Sequence, residues 1–597
     1  MMSLWRSAPR RAAPWVCSSC AARLSTSARV ASRELQKGKQ HIKIRLPDSP
    51  ARTRFAPSPT GYLHLGSLRT ALYNYLLAKA TGGQFLLRLE DTDQKRTIAG
   101  AEQRLYQDLR WAGLQWDEGP EVGGPYGPYR QSERTELYQD HTHRLLESGH
   151  AYRCFCSPER LNALATQRAK LGLPTDYDRT CADIPQEESR SRASKGESFV
   201  VRLRVPEVYP MFDDLVYGKV GKGKGVPLLF KHGEPAYEDP ILLKSDGQPT
   251  YHLANVVDDH HMKVTHVVRA AEWMSSTPKH VILYQAFDWT PPTYAHVGLL
   301  QDQQGQKLSK RNLDLDIATI RDQWDIFPEA LNNFVALLGW SHHRGNDRMT
   351  MEDLIDTFDL KFTRGNTIVT FEKLWFLQKE HARRYAAREG QEFNEMVDKV
   401  QHLARTRIDS DERAKILGTR EIRPYVAAIV QSDAKSYTTA EEFLQRNIIF
   451  FKPVRNSVYS TIKENGQPYH TVPRRELVEA ANCLSAVQPQ DWSQKNLKLK
   501  IEELVVQFSG ISEEKIRDYE PRAKGDARKE AREWNKALHH YLRWAVAEGR
   551  QGPGIAETMV ILGRDVTLER LEDATILAGG SSDGEPEIHV KAASAAS

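Results

Sequence analysis

An α/β fold interrupted by an insertion and followed by an all-helical region is the architecture this sequence predicts. Three observations carry the prediction. Residues 54–67 read as a short extended run, a Pro/Gly-rich loop and a helix start, with a second strand at residues 85–89 after the helix. Residues 150–235 break that pattern, which resumes near Ile241. From about residue 320 the chain turns mostly helical, with few strand signals beyond residue 381.

Each element has a local reason. Residues 1–33 hold six arginines (Arg6, Arg10, Arg11, Arg23, Arg29, Arg33), several serines and no carboxylate before Glu34, the composition of an organellar transit peptide. The loop Arg54-Phe55-Ala56-Pro57-Ser58-Pro59-Thr60-Gly61-Tyr62-Leu63-His64-Leu65-Gly66-Ser67 is stiffened by two prolines. Gly61 permits an unusual backbone angle and Gly66 lets a ligand approach the chain closely. The helix that follows presents free N–H groups at its N-terminus, a natural seat for phosphates. Leu68, Ala71, Leu72, Tyr75 and Leu76 keep one apolar face, and Gly82-Gly83 stop that helix. Residues 85–89 then form a buried strand with Glu90 and Asp93 near its carboxyl end, where ligands of parallel α/β sheets gather.

A second helical pattern spans residues 132–149. Residues 150–235 read as short strand-like runs, such as 198–203, separated by polar loops; the Gly/Lys stretch at 221–225 reads as a flexible loop. Residues 250–259 and 266–269 both read as strand or strand-to-loop pieces, and Pro328 opens a helix. Residues 521–550 carry eight Lys/Arg against four Asp/Glu, with Trp534, His539, His540 and Tyr541 among them. Such a helix suits either a nucleic-acid backbone or a solvated face. The Gly/Ser/Ala-rich residues from about 580 onward read as a disordered tail.

At 597 residues the chain predicts roughly four domains of about 150 residues each. Its 83 basic and 78 acidic residues give a net charge of +5, but removing the six arginines of residues 1–33 leaves −1. Overall charge is therefore no argument for a nucleic-acid partner, and any such surface must be local. No apolar run approaches the ~18 residues of a membrane span. Of the six cysteines, Cys17 and Cys20 lie in the basic segment; Cys154, Cys156, Cys181 and Cys483 are too few for a disulfide framework, which suits a reducing compartment.

A distant segment, Lys307-Leu308-Ser309-Lys310-Arg311, changes the meaning of the first loop. Residues 54–67 resemble the HIGH region of class I aminoacyl-tRNA synthetases, and residues 307–311 resemble their KMSKS loop. Further segments resemble the glutamyl-specific members: Arg88-Leu89-Glu90-Asp91-Thr92-Asp93, Gly127-Pro128-Tyr129-Arg130-Gln131-Ser132, Leu243-Lys244-Ser245-Asp246-Gly247, Tyr251-His252-Leu253-Ala254-Asn255 and Arg269-Ala270-Ala271-Glu272-Trp273. They occur in order over roughly residues 50–340, and residues 552–572 resemble the end of bacterial-type members. The resemblance implies a Rossmann-type catalytic domain in two halves, 46–135 and 239–315, around an inserted α+β acceptor-binding domain at 136–238. It further implies a stem-contact helical domain at 316–385 and an all-α anticodon-binding region at 386–578, with residues 1–45 as transit peptide and linker and 579–597 as tail.

The implied chemistry is attack of glutamate on the α-phosphate of ATP, then transfer of the glutamyl group to the terminal ribose of tRNA, first to the 2′-OH. By resemblance, His64, Lys307 and Lys310 are the catalytic residues, and His64, Gly66, Glu272, Lys307, Leu308, Ser309, Lys310 and Arg311 bind ATP, with Mg²⁺ held mainly by phosphate oxygens. The superfamily's fourth motif position is often His and here is Ser67. Glutamate recognition falls to Arg54, Phe55, Ala56, Ser58, Glu90, Tyr251, His252, Leu253, Ala254, Asn255 and Arg269. Arg54 and Arg269 suit the side-chain carboxylate and Glu90 and Ser58 the ammonium. The expected partners are L-glutamate and tRNA(Glu), with tRNA(Gln) as a second acceptor to test, for a monomer in the mitochondrial matrix without membrane contact.

Cys154, Cys156 and Cys181 resemble the zinc-binding members of the family, except that Asp183 stands where those have His, so zinc is not the favoured reading. Two competing enzymes are weighed and set aside. A glutaminyl enzyme fits poorly with two arginines at the side-chain pocket, and a truncated tRNA-modifying relative would lack the helical half. A catalytically silent RNA-binding protein would be expected to have lost His64, Lys307 or Lys310. A nucleotide-binding transferase unrelated to tRNA leaves the helical extension without a purpose.

Overall fold

The computed structural model describes residues 46–173, 175–221, 230–231, 234–235, 238–308, 316–454, 459–460, 469–510 and 526–579. The basic segment 1–45, the Gly/Lys stretch beyond Gly221, Ser309, Lys310 and Arg311, and the tail from 580 therefore lie outside the described residues.

The catalytic half begins with β1 (Arg52–Phe55), α1 (Leu65–Ala80) and β2 (Gln84–Leu87). β1 and β2 pair in parallel, with Arg54 opposite Leu86. His64, in extended conformation, is the N-cap of α1: its Nδ1 accepts from Ser67 N at 3.3 Å. Thr81 ends that helix and Gly82, at φ 66°, turns the chain into β2. Gly61, by contrast, is not among the glycines at positive φ.

α2 (Ala101–Trp111) and α3 (Thr135–Glu147) precede the insertion. There β3 (Ala151–Cys154), α4 (Pro158–Lys170), α5 (Gln186–Ser194), β4 (Val200–Leu203), β5 (Phe212–Asp214), β6 (Gly218–Val220) and β7 (Ile241–Leu243) follow one another. β4 lies between β3 and β7, antiparallel to both. The insertion thus contains two helices that a strand-and-loop reading of 150–235 missed. α4 buries no residue, so its sequence carries no apolar stripe to read.

The sheet resumes with α6 (Tyr251–His261), β8 (His266–Ala270), α7 (Thr277–Ala286) and β9 (Thr293–Val297). β8 pairs in parallel with β9, and β9 in parallel with β5. Thr265 N donates to Arg52 O at 3.0 Å, which seats the start of β8 beside β1. Residues 251–259, expected as strand or strand-to-loop, are helical. Leu253, Ala254, Val256 and Val257 pack with Leu283 and Tyr284 of α7. Their spacing is helical, and this packing overrides the β-preference of the valines.

From α8 (Pro328–Leu337) onward the described chain is almost wholly helical; Pro328 sits at the first helical position, as expected. The helix Asp526–Ala547 sorts the residues of the basic segment between core and surface. Trp534, Ala537, Leu538, Tyr541 and Ala545 repeat at helical spacing and are buried, while Lys529, Arg532, Lys536 and His539 are exposed. Trp534 and Tyr541 thus belong to the core of the helical region, and only the charged face is left for a partner.

Candidate active site

The residues expected at the nucleotide gather around the N-terminus of α1. With Nδ1 of His64 accepting from Ser67 N, the proton sits on Nε2, which meets Ser67 Oγ at 3.0 Å. The serine at the fourth motif position is therefore a partner of the histidine. A Cβ on Gly66 would lie 3.3 Å from the His64 ring, so the glycine also spares that ring. Ile317 N donates to Leu63 O at 2.9 Å, placing the chain that leaves residues 309–315 against this loop. Leu308 N donates to Leu300 O at 3.1 Å, which fixes the base of the same segment. Lys307 Nζ lies 2.6 Å from Glu272 Oε2, with both side chains about half exposed. Two residues expected at the nucleotide are thus brought together; Ser309, Lys310 and Arg311 fall outside the described residues.

Arg54 and Glu90, expected at the amino acid, belong to a buried network of opposite charges. Arg54 holds Asp259 with two nitrogens, Nε to Oδ1 at 3.0 Å and Nη2 to Oδ2 at 3.3 Å. Arg88 reaches the same carboxylate at 2.6 Å, Glu90 at 3.2 Å and Asp258 at 3.7 Å. Asp258 in turn accepts from Arg134 at 2.8 Å, Gln131 at 2.9 Å and Tyr138. With its amide oxygen turned toward them, Asn255 accepts from Arg88 at 3.1 Å and Arg54 at 3.2 Å. Glu90 N donates to Pro57 O at 3.0 Å, which joins the backbone just before exposed Ser58 to the strand end at Glu90. Burial raises the Glu90 carboxyl above its usual range, against the pull of Arg88 and Arg54. At Asp259 burial is the largest influence, yet the two guanidiniums outweigh it and hold the carboxyl low.

Arg269, at the end of β8, is different. Its Nε donates to His296 at 3.1 Å, Nη1 to Tyr251 Oη at 3.2 Å and His280 at 3.2 Å, and Nη2 to Thr277 at 2.7 Å. None of the ion pairs among the described residues involves it. Of the other expected glutamate contacts, His252 turns to His280 at 3.2 Å. Leu253 and Ala254 are fully buried between helices and Phe55 lies in the main core, so their apolar side chains are core and make no polar contact. Ala56 is half-buried in the first loop. Sequence reasoning assigned no role to Arg88, Asp258, Asp259, His280 or His296. An arginine inside the apolar run 85–89 and an Asp pair closing an apolar helix were the legible signals.

The three cysteines also converge. Their Sγ atoms lie within 4.8 Å of one another. Asp183, at the expected fourth position, is turned away: its side chain is 94% exposed and pairs with Arg204. Tyr177 takes that place, its Oη 3.3 Å from Cys154 Sγ and 3.4 Å from Cys156 Sγ. Hydrogen bonding from Cys181 and Tyr177 pulls the Cys154 thiol down to about 4, and Arg160 donates to Cys156 Sγ at 3.3 Å.

Residues 50–376 match the family model "tRNA synthetases class I (E and Q), catalytic domain", and residues 527–575 match "Anticodon binding domain". The chain is 50% identical over 341 residues to the mitochondrial glutamate–tRNA ligase of Saccharomyces cerevisiae, covering 56% of this chain but only 61% of that relative. It is 37% identical over 533 residues to the mitochondrial glutamate–tRNA ligase of Schizosaccharomyces pombe, covering 87% of this chain and 90% of that one. The crystal structure of a glutamate tRNA ligase from Elizabethkingia meningosepticum in complex with its amino acid superposes with a TM-score of 0.68 at 29% identity, over 88% of this chain and 99% of that one.

Proposed function

Because this chain belongs to the class I tRNA synthetases, in the glutamate–tRNA ligase family, we propose that it activates L-glutamate with ATP and esterifies the 3′ end of tRNA(Glu). The names of the two yeast relatives and the composition of residues 1–33 support placing this reaction in the mitochondrion, in its matrix. The observation that carries the proposal is the buried Arg269 guanidinium, which has no carboxylate partner among the described residues and shares Tyr251 with the Arg54/Glu90 pocket.

The chain's own residues supply position and charge. Glu90 and Ser58 receive the ammonium, whose charge offsets the burial that raises the Glu90 carboxyl. Arg269 receives the side-chain carboxylate, with Arg54, itself held by Asp259, adding positive charge nearby, which leaves the α-carboxylate free to attack phosphorus. His64 and the N-terminus of α1 face the ATP phosphates, and Lys307 exchanges Glu272 for phosphate oxygens as charge develops. Mg²⁺ would enter with ATP, held mainly by the phosphate oxygens.

The test is glutamylation of purified tRNA(Glu) and tRNA(Gln) by the purified chain with glutamate and ATP. A glutamyl ester on tRNA(Glu) is expected; no transfer to either tRNA overturns the proposal. The tRNA(Gln) arm decides whether the enzyme serves both acceptors.

The cysteine cluster fits a structural Zn²⁺ held by Cys154, Cys156, Cys181 and Tyr177, because the four donor atoms already stand at the spacing of a tetrahedral shell. The ion would tie β3 to the loop before α5 and supply no reacting group. Elemental analysis is expected to find about one zinc per chain, lost in Cys181→Ser. A metal-free wild type purified without chelator would refute the site.

A further inference from the structure

Four buried arginines frame the amino-acid pocket, and the fold treats one of them differently. Arg54, Arg88 and Arg134 each hold a carboxylate directly, at 3.0, 2.6 and 2.8 Å. Arg269 is surrounded by neutral acceptors: two imidazoles, a threonine hydroxyl and a phenol. The face of Tyr294 lies 5.2 Å from its guanidinium carbon. The carboxylate behind this shell, Asp214 of β5, is reached only through a ring: His296 Nδ1 lies 2.7 Å from Asp214 Oδ2.

The proton positions follow from the guanidinium, which can only donate. His296 Nε2 must accept from Arg269 Nε, so the His296 proton sits on Nδ1 and points at Asp214. Asp214 also accepts from the backbone of His296, Val216 and Tyr217, so its lone pairs are used and it stays in place. By the same logic His280 Nδ1 accepts from Arg269 and its Nε2–H donates to His252. Burial keeps both imidazoles neutral, as two acceptors facing a cation must be.

We propose that Asp214, His296 and Thr277 are positioning residues for glutamate recognition: they hold the Arg269 guanidinium from behind with neutral acceptors and a relayed negative charge, so that its front edge is kept for the substrate's carboxylate. This rests on the ligase reading above and deepens it. The hydrogen bonds described engage four of the five guanidinium N–H groups. That leaves one Nη2–H, together with the Tyr251 O–H, which accepts from Arg269 and so has its own proton to give. A carboxylate placed directly on Arg269, as on its three neighbours, would compete with the substrate for those donors. The Asp214 charge, one imidazole away, stabilises the cation without doing so.

The test uses the full chain, with KM for glutamate and for ATP read separately in tRNA(Glu) glutamylation and the Kd for glutamate read by calorimetry. His296→Phe keeps the ring and removes the acceptor. It is expected to raise both glutamate constants about 30-fold while the ATP KM stays within about twofold. His296→Gln, whose amide oxygen can accept from Arg269, is expected to return them to within about fivefold of wild type. If His296→Phe does not fold, Thr277→Val, isosteric and lacking the hydroxyl, carries the same test with an expected rise of about tenfold. Folded variants with unchanged glutamate constants, or with glutamate and ATP constants rising together, overturn the positioning role while wild-type charging leaves the ligase reading standing. A wild type that neither charges tRNA nor binds glutamate removes both.

Discussion

Replacing Arg269 with alanine is expected to raise the KM for glutamate by about 100-fold and to lower kcat, with the KM for ATP within about threefold of wild type. The magnitude follows from the loss of a desolvated charge pair with the substrate, worth about 3 kcal/mol where the partner charge is left buried. The direction of the split follows from geometry. Arg269 lies at the end of β8 among His280, His296, Thr277 and Tyr251, and none of its hydrogen bonds reaches His64 or Lys307. Arg269→Lys is expected to recover little, because an ammonium cannot engage His296, His280 and Thr277 together in the guanidinium plane. Steady-state kinetics with each substrate varied in turn checks this; glutamate constants equal to wild type would remove Arg269 from the site.

Asp259→Asn is expected to destabilise the catalytic region by about 3–5 kcal/mol, because it leaves two guanidiniums buried around an amide. The carboxylate is almost fully buried and bridges Arg54 and Arg88, joining β1, the strand end after β2 and α6. The loss is read as an earlier unfolding transition of that region in a denaturant titration. The pH dependence has a definite sign. The folded Asp259 carboxyl lies below its ordinary value, so its stabilisation is fully present above the unfolded pKa of about 3.9 and is lost as pH falls through the folded value. The gap between wild type and Asp259→Asn is therefore expected to narrow as pH falls below about 4. Glu90 acts with the opposite sign: its raised folded value means that its ionisation weakens the fold as pH rises. A gap that stays constant into acid would mean that Asp259 is not the charged bridge.

The sequence by itself determined the parts of this protein whose signals are local. Pro57, Pro59 and Gly66 around His64, the apolar face from Leu68 to Leu76 and the run 85–89 sufficed for strand, loop, helix and strand, because each is a short-range preference of the backbone. Motif order placed Arg54, Glu90, Tyr251, Asn255 and Arg269 as candidates, and the fold gathers Arg54, Glu90 and Asn255 around Arg88 and sets Arg269 against Tyr251. What only the tertiary structure decided depends on contacts between distant elements. The valines at 256 and 257 favour strand locally, and packing against α7 makes them helical. Trp534 and Tyr541 look like a nucleic-acid surface until helix packing buries them. Tyr177 replaces Asp183 beside the cysteines because the chain path after α4 turns one side chain inward and the other to solvent. The division of labour among the arginines was decided in the same way. Three are paired with acids and one is left with neutral acceptors, since Asp214, Asp258, Asp259 and His296 reach them from other elements across the fold. Burial then turns those placements into energy, because a charge withdrawn from water is governed by whichever partner the fold brings to it.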